Sequence, residues 1–435
     1  MRGVYVLLLI SLLGYTGRVS GQESVTITQC YEWARANYPQ IHQMGLIDQT
    51  ERYSLSNVGK AWLPQLSVSG KASYQSDVTK LPLDGDKISS LLPGFEIPSL
   101  SKDQYQVVAQ VDQTIWDGGS TRSARALTRA EAIANREQLE SELYALNDRV
   151  NQIYFGCLLQ DELIRQNALL QKELQVNIER IEAMMENGVA NQSDLESMEV
   201  ELLNARQNEI ELKASRTVYR QMLATFINKP LTDQVVLKTP ESPERSLSTQ
   251  INRPELRALD AKSEWIETQN KQVTAGLMPR IGAFVQGGYG RPGLNMLEDS
   301  FEPYYVAGVR LSWNLGKLYT LKNDRRKIEV SRRQIDVQRE TFLFNTRLQL
   351  LQQNTEIKKM TDLMRADDDI IRLRTSIKQA AEVKLENGVI SVTDLIREIN
   401  AEDMARQTAA AHRVQRLMTI YTVSYTHLRA QRLRC

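Results

Sequence analysis

One tetrapeptide occurs twice in this chain with the same residues behind it. Glu-Asn-Gly-Val stands at residues 186–189 and again at 386–389, 200 residues later. Each copy is followed by an Asp-Leu pair, which begins at Asp194 in the first copy and at Asp394 in the second. A carboxylate at the start of a helix accepts hydrogen bonds from free backbone N–H groups. Each Asp is therefore a candidate helix cap, together with the preceding Ser193 or Thr393.

Side chains that would indicate an enzyme are few and scattered. The three histidines stand far apart, and there is no zinc-protease motif, nucleophile elbow or phosphate-binding glycine loop. The glycines of residues 287–290 fall in a predicted strand and its turn, where they fit a bend better than a nucleotide site. Cys30, Cys157 and Cys435 have neither metal-binding nor disulfide spacing. We therefore predict no catalytic residue, no cofactor and no metal site.

The composition indicates long helices rather than several compact domains. Of the 435 residues 25% are charged, only 6% are aromatic, and 12 are proline. Lys plus Arg number 54 against 53 for Asp plus Glu, so no basic field indicates a nucleic-acid partner.

The first 21 residues have the pattern of a signal peptide. Arg2 precedes the apolar run 4–13, and small residues follow at 19–21. The apolar run is too short to span a bilayer as a helix. We predict an exported protein whose mature chain starts at Gln22 or a neighbouring residue.

The mature chain is a tandem repeat. Leu63-Pro64 matches Met278-Pro279, and the tryptophans at 116 and 313 begin a second matching pair of motifs. The predicted repeats span 22–228 and 249–423, joined by a Pro/Ser-rich linker at 229–248. Residues 424–435 are basic, end in a lone cysteine and have no counterpart after the first repeat, so we interpret them as an anomalous, non-native tail.

Each repeat contains a long helical hairpin, predicted at about 118–227 and 317–421. Lys317 to Asn387 contains no Gly or Pro, which allows a helix of roughly 100 Å. Apolar residues recur every seventh position in this stretch, at Leu343, Leu350, Ile357, Met364 and Ile371. Such a narrow stripe is typical of a coiled-coil seam. A glycine ending each helix would let the chain reverse at the Glu-Asn-Gly-Val motif.

Each repeat also contains two predicted strands, at about 65–78 and 103–116, then at about 280–290 and 304–314. Apolar and polar residues alternate along them, as in a transmembrane strand with a lipid-facing and a lumen-facing side. Aromatic residues at the loop ends suit a membrane interface: Tyr74, Tyr105, Tyr289 and Tyr305. The same pattern fits an antiparallel sheet with one solvated face, but export and the flanking coiled coils favour the membrane.

Four strands do not close a barrel by themselves. Open edges would leave backbone groups unpaired in hydrocarbon, so the barrel must be shared between chains. Two chains would give eight strands filled by side chains, whereas three would give twelve strands and room for a pore.

The duplicated order, the Leu-Pro and Met-Pro before the first strands, and the Gly-x5-Asp-Leu turns resemble those of the TolC family of outer-membrane efflux and secretion channels. The resemblance implies a mainly α protein with transmembrane β-structure: a homotrimer with a 12-stranded β-barrel in the outer membrane of a Gram-negative bacterium and an α-helical tunnel in the periplasm. It implies a passive conduit for small molecules or polypeptides in tripartite efflux or type I secretion. Its partners would be outer-membrane lipid, a periplasmic membrane-fusion adaptor and an inner-membrane pump.

The same resemblance assigns roles to the repeated motifs. The periplasmic tip, where the adaptor docks, would be formed by Gly188, Val189, Gly388 and Val389. Asp394 occupies the position of an aperture carboxylate, with Asp194 as its first-repeat counterpart. Arg397 replaces the second acidic residue of the family pattern, which suggests an Asp394–Arg397 arrangement. Helix capping is the alternative role for both aspartates, and one residue can do both.

A different class of protein also fits part of the sequence. A soluble periplasmic coiled-coil adaptor or scaffold would explain the helices, but not the four alternating strands with tyrosines at their loop ends. The exported substrate stays open among drugs, metal ions and polypeptides.

Overall fold

A computed structural model describes residues 24–79, 100–242, 251–295 and 298–427, with side chains up to 423. The predicted signal peptide at 1–21, most of the first strand–strand loop and residues 428–435 of the predicted tail lie outside the described residues.

The helices occupy most of the chain. The shorter ones are α1 (Ile27–Asn37), α2 (Gln43–Gly59), α3 (Ser120–Tyr144) and α6 (Pro254–Ala275). The hairpin helices are α4 (Leu146–Glu186) and α5 (Gln192–Ile227), then α7 (Lys317–Glu386) and α8 (Val392–His427). The expected mainly helical architecture with a few strands is confirmed, and α7 alone spans 70 residues. None of the helices in the described parts of the chain is long and apolar enough to cross a bilayer.

The chain divides into two compact units, and each takes segments from both repeats. The first unit contains the residues up to 43, 138–256 and those from 340 onward. In it, β1 (Ser24–Val25) pairs in parallel with β4 (Val236–Leu237). The second unit contains residues 44–137 and 257–339.

The second unit holds a four-stranded antiparallel sheet. Its strands are β2 (Gln65–Tyr74), β3 (Asp103–Trp116), β5 (Arg280–Arg291) and β6 (Glu302–Ser312), in the order β2-β3-β5-β6. β2 ends at Tyr74 rather than near residue 78, because its partner β3 starts at Asp103, opposite Tyr74. β3 and β5 join the two repeats in one sheet. β2 and β6 are its open edges.

Two hydrophobic clusters lie in the described part of the first unit. One packs α1 against α4 and α5 around Tyr154, whose hydroxyl donates to the carbonyls of Val25 and Lys238, at 2.9 and 2.7 Å. Cys30 and Cys157 are buried there as free thiols, and desolvation raises the pKa of each to about 12. The other cluster joins the ends of both hairpins and includes Leu174, Met198, Leu385, Leu395 and other apolar residues.

Candidate functional site

The sheet has one apolar and one polar face, and the strand register fixes which residues share each. Val111 stands between Leu66 of β2 and Val285 of β5, and Ala307 continues this row on β6. The next residues along the strands form a polar row on the opposite face, which contains Gln110 and Gln286. The apolar face is exposed in a single chain, since Leu66 and Val309 are 71% and 70% accessible. An exposed apolar face of this extent needs lipid or another apolar partner.

Tyrosines stand at the loop end of the apolar face. Tyr74, Tyr105, Tyr289 and Tyr305 are all exposed there. Phe301 stacks against two of them, with ring centroids 6.4 Å from Tyr105 and 5.8 Å from Tyr289. Their placement suits an interfacial aromatic belt.

Trp116 and Trp313 stand at the opposite end of the same face, and no role was predicted for them. Trp62, Trp116 and Trp313 are exposed near the ends of the strands that adjoin the helices. A register irregularity between Thr114 and Trp116 pairs Trp116 with Ile281, which belongs to the apolar face. The signal was present, because Trp116 and Trp313 already matched as repeat anchors. With the tyrosines they place aromatic residues at both ends of the apolar band.

The polar face carries a cluster of charged residues at its helix-proximal end. Asp112, Arg280 and Arg310 line a cavity of about 300 Å³ together with Phe284 and Ser312. The Arg310 guanidinium lies 4.8 Å from the centroid of the Phe284 ring and 3.8 Å from the Asp112 carboxylate.

Both Glu-Asn-Gly-Val motifs form the same helix-ending turn. Gly188 and Gly388 have φ of 73° and 67°, in the left-handed region that glycine adopts without strain. In the first turn the N–H groups of Gly188 and Val189 donate to the carbonyls of Met185 and Met184, at 2.9 and 2.8 Å. The second turn repeats both bonds at equal distances, with Leu385 and Lys384 as acceptors. This is the Schellman arrangement, which satisfies the last free carbonyls of a helix.

The N-cap residues of the returning helices are not the ones expected. Asn191 is the N-cap of α5, and its side chain accepts a hydrogen bond from the Asp194 N–H. Asp194 in turn accepts from the Asn191 N–H at 3.1 Å, which completes a capping box. Ser193 therefore lies inside the first turn of α5 and not at its cap. It cannot be the N-cap because the helix already begins at Gln192, after Asn191 in extended conformation (φ −117°, ψ 170°).

The second repeat has the same capping box with Ser391 in the place of Asn191. Ser391 donates from both its N–H and its hydroxyl to Asp394, at 3.2 and 2.8 Å, so Thr393 is likewise inside the helix. These hydrogen bonds, with Arg397 at 3.4 Å, hold the pKa of Asp394 below its usual value. The structure thus brings Asp394 and Arg397 into contact and places Asp394 in a cap.

Apolar side chains project from both turns. Val189 and Val389 are 57% and 68% exposed although the hydrophobic cluster of the hairpin ends lies beside them. Both hairpins contribute to this cluster, so the two turns lie at one end of the same helical bundle.

A buried ionic cluster links the hairpins farther from the turns. Lys378 of α7 contacts Glu173 of α4 and lies 2.7 Å from Glu402 of α8, whose side chain is only 3% exposed. Thr375 donates to Glu402 at 2.6 Å, and the Arg406 Nε donates to it at 2.9 Å. None of these residues was predicted to belong to a site.

Replacing either turn glycine by alanine tests the conformational role of the turn. An added Cβ at Gly188 or Gly388 would meet no neighbouring atom, so the cost comes from positive φ alone. We expect each substitution to destabilise its hairpin by about 1 kcal/mol, measured as a shift of the thermal or urea transition. The control is Gly45→Ala inside α2, where the added Cβ also meets nothing and the helix is expected to gain roughly 0.5–1 kcal/mol. Equal effects at 45 and 188 would contradict the turn assignment.

The fold has close relatives among solved structures. CusC is 14% identical with a TM-score of 0.66, covering 92% of each chain. OprN, described as an outer-membrane channel, is also 14% identical with a TM-score of 0.67, covering 92% of this chain and 89% of its own. The outer membrane protein VceC of Vibrio cholerae is 12% identical with a TM-score of 0.62, covering 92% and 95%. At these identities the likeness shows the fold.

Part of the sequence also matches a protein family. Residues 30–229, nearly the whole of the first repeat, match the family described as outer membrane efflux protein. Over these residues the chain is similar to the outer membrane efflux protein family. No curated protein matches the chain significantly in sequence. The family match of the first repeat and the shared fold confirm the predicted TolC-like class, its location in the outer membrane and its role as a channel, whereas the soluble adaptor interpretation finds no support. The family is one of transport proteins rather than enzymes.

Proposed function

We propose that this efflux-family chain forms a homotrimeric passive conduit, in which three sheets close a 12-stranded barrel and the hairpins build a tunnel through the periplasm. The observation that carries this proposal is the four-stranded sheet with an exposed apolar face and two open edges. In a bilayer those edges must pair, and β6 of one copy with β2 of the next is the pairing that closes a ring. Three copies leave a lumen that two would fill.

The long helix α7 supplies a second argument for association between copies. Val330, Val337, Phe344 and Leu351 recur every seventh residue and are each more than half exposed. An exposed apolar heptad stripe suits packing against a helix of another copy.

The assembly is tested by fractionation and conductance. We expect the protein in the outer-membrane fraction, as a trimer that resists mild detergent, and discrete ion-conducting steps when the purified protein is added to planar bilayers. A protein that leaves the cell with the periplasmic contents, or a monomer without conductance, would overturn the proposal.

The tip is proposed as the docking site of a periplasmic adaptor linked to an inner-membrane pump, in efflux or type I secretion. Gly188, Val189, Gly388 and Val389 are its central residues, because the exposed valines offer apolar contacts at the end of the bundle. Changing both valines to Asp would abolish co-purification with the proposed periplasmic adaptor and leave the bilayer conductance intact.

Asp394 is proposed to restrict the tunnel mouth as well as cap α8. We expect Asp394→Ala to raise the conductance of the isolated channel, because it removes a carboxylate held by Ser391 and Arg397. Asp394→Asn keeps hydrogen-bond acceptor capacity without the charge, so it separates the two roles. If both variants conduct with the size and cation selectivity of the wild type, only the cap remains. Asp194→Ala is the matched change in the first repeat, whose aspartate forms the equivalent box.

A further inference from the structure

Two arginines stand beside each other at the helix-proximal end of the sheet's polar face. Arg310 of β6 lies opposite Gly282 of β5, and Arg280 lies opposite Ser312. The arginines are thus diagonal neighbours on adjacent strands, a relation that separates side-chain origins by about 7 Å. Glycine at 282 and serine at 312 leave space beside them, which forms part of the cavity of about 300 Å³.

The carboxylates lining this cavity are engaged elsewhere. Asp117 accepts hydrogen bonds from the N–H groups of Gly119 and Thr121, at 2.9 and 2.6 Å, and so serves the start of α3. Asp112 accepts from the Gln110 side chain at 2.7 Å, and its 3.8 Å separation from Arg310 exceeds a hydrogen bond. Arg280 forms no ion pair with any carboxylate in the described ranges of the sheet unit. The cavity therefore holds the guanidinium of Arg280 outside any ion pair in the described ranges, beside two carboxylates that accept hydrogen bonds from other groups.

The second guanidinium is held in place by the Phe284 ring. Its centre lies 4.8 Å from the ring centroid, within the range of a cation–π contact. Gly308 makes room for that ring, since a Cβ there would lie 3.1 Å from it. Stacking limits how Arg310 moves but leaves its N–H groups free to face the cavity. Guanidinium N–H groups in a fixed plane suit the two oxygens of a carboxylate.

We infer that Arg280 and Arg310 form a subsite that binds the carboxylate group of anionic solutes as they pass the base of the sheet. This inference rests on the proposed function, because the polar face lines the passage only if the sheets close a barrel. Three copies would place six guanidinium groups in one ring. Such a ring favours anionic organic solutes over cationic ones of equal size.

Block of the channel current by citrate tests the subsite. Citrate carries three carboxylates, and added to the extracellular side of a planar bilayer it reaches the barrel without crossing the tip. We expect it to block the wild-type current, and Arg280→Gln or Arg310→Gln to weaken the block roughly tenfold, the loss of one charge-assisted hydrogen bond. Arg310→Lys keeps the charge but not the planar pair of N–H donors, so its block by citrate is expected to lie between that of the wild type and that of Arg310→Gln.

Lys71→Gln is the matched control, because Lys71 lies on the same polar face toward the loop end, opposite Gln106. It removes the same charge outside the cavity and should leave citrate block nearly unchanged. Equal block of the wild type and the Arg280→Gln, Arg310→Gln double variant would overturn the subsite, as would a conducting wild type that citrate does not block. An equal loss in Lys71→Gln would replace the subsite by a general charge effect. A wild type that forms no channel would instead contradict the proposed function.

Discussion

An arginine at Val285 is expected to remove most of the protein from the outer membrane. Val285 stands in the middle of β5, between Val111 of β3 and Ala307 of β6, on the exposed apolar face. A lipid-facing arginine near the bilayer midplane costs roughly 2–4 kcal/mol per copy. In a trimer three copies bear that cost, which is comparable with the whole stability of a typical fold. Immunoblots of separated membranes would show the variant depleted from the outer-membrane fraction and degraded or aggregated in the periplasm.

The neighbouring residue provides the control for this prediction. Gln286 lies on the same strand one position later, so its side chain is on the polar face beside Gln110 and Val306. Gln286→Arg adds the same side chain to the proposed lumen and should assemble like the wild type. Normal assembly of Val285→Arg, or equal failure of both variants, would show that the apolar face does not contact lipid.

The faces of this sheet were predictable because a strand alternates with a period of two residues. Leu66, Val68 and Tyr74 alternate with serines and Lys71, and the register keeps that division. The irregularity before Trp116 was not predictable in the same way. A bulge adds one residue to a strand and reverses the alternation of apolar and polar residues beyond it. In a single sequence this reversal cannot be distinguished from an irregular alternation. Trp116 therefore joined the apolar face without having been assigned to it.

At the tip, the local sequence predicted the positions of the two turns but not the N-cap residues that follow them. Glycine in a helical stretch marked both turns, because few other residues adopt positive φ at low cost. The aspartates do belong to the capping boxes, but the N-cap positions were not predicted, since several of the residues after each glycine have side chains that can cap a helix. The Schellman bonds fix where the chain leaves the first helix, and that position selects Asn191 and Ser391. The aspartates become the third helical residues, which is the reciprocal position of the box.

The ionic cluster between the hairpins could not be predicted from one helix at a time. In the sequence pattern alone, Lys378 and Glu402 are indistinguishable from the charged residues of a solvated helix face. Their burial arises because α4 of the first repeat packs against both helices of the second, which brings Glu173 to Lys378. The counterparts of Lys378 and Glu402 in the first repeat lie 200 positions earlier. They are Ile178 and Leu202, which are both buried in the apolar cluster of the hairpin ends. One repeat therefore uses an ion pair where the other uses hydrophobic contact.

This difference between the repeats predicts that a single substitution lowers the stability strongly and that a second substitution restores most of it. Lys378→Ile leaves Glu173 without its cation and the buried Glu402 with Arg406 alone, and breaking such a buried pair costs roughly 3–5 kcal/mol. Lys378→Ile combined with Glu402→Leu installs the residues of the first repeat. Replacing a buried pair by apolar residues of similar volume is often neutral or stabilising, so we expect the double variant to recover most of the loss. Urea denaturation of the detergent-solubilised protein is measured for the wild type, Lys378→Ile, Glu402→Leu and the double variant, and these four values give the coupling by a double-mutant cycle.

The pH dependence of the same variants separates ionic from packing effects. Burial raises the pKa of Glu402, but hydrogen bonds from Lys378, Thr375 and Arg406 outweigh it, so its pKa lies below the usual value. A carboxyl whose pKa is lowered on folding stabilises the protein at neutral pH, and this contribution disappears as the pH falls through its unfolded and then its folded pKa. The wild type should therefore lose more stability than the double variant between pH 7 and pH values below about 4. Equal acid sensitivity of the two would place the stabilisation in packing, and additive single substitutions at neutral pH would show that Lys378 and Glu402 do not act as a pair.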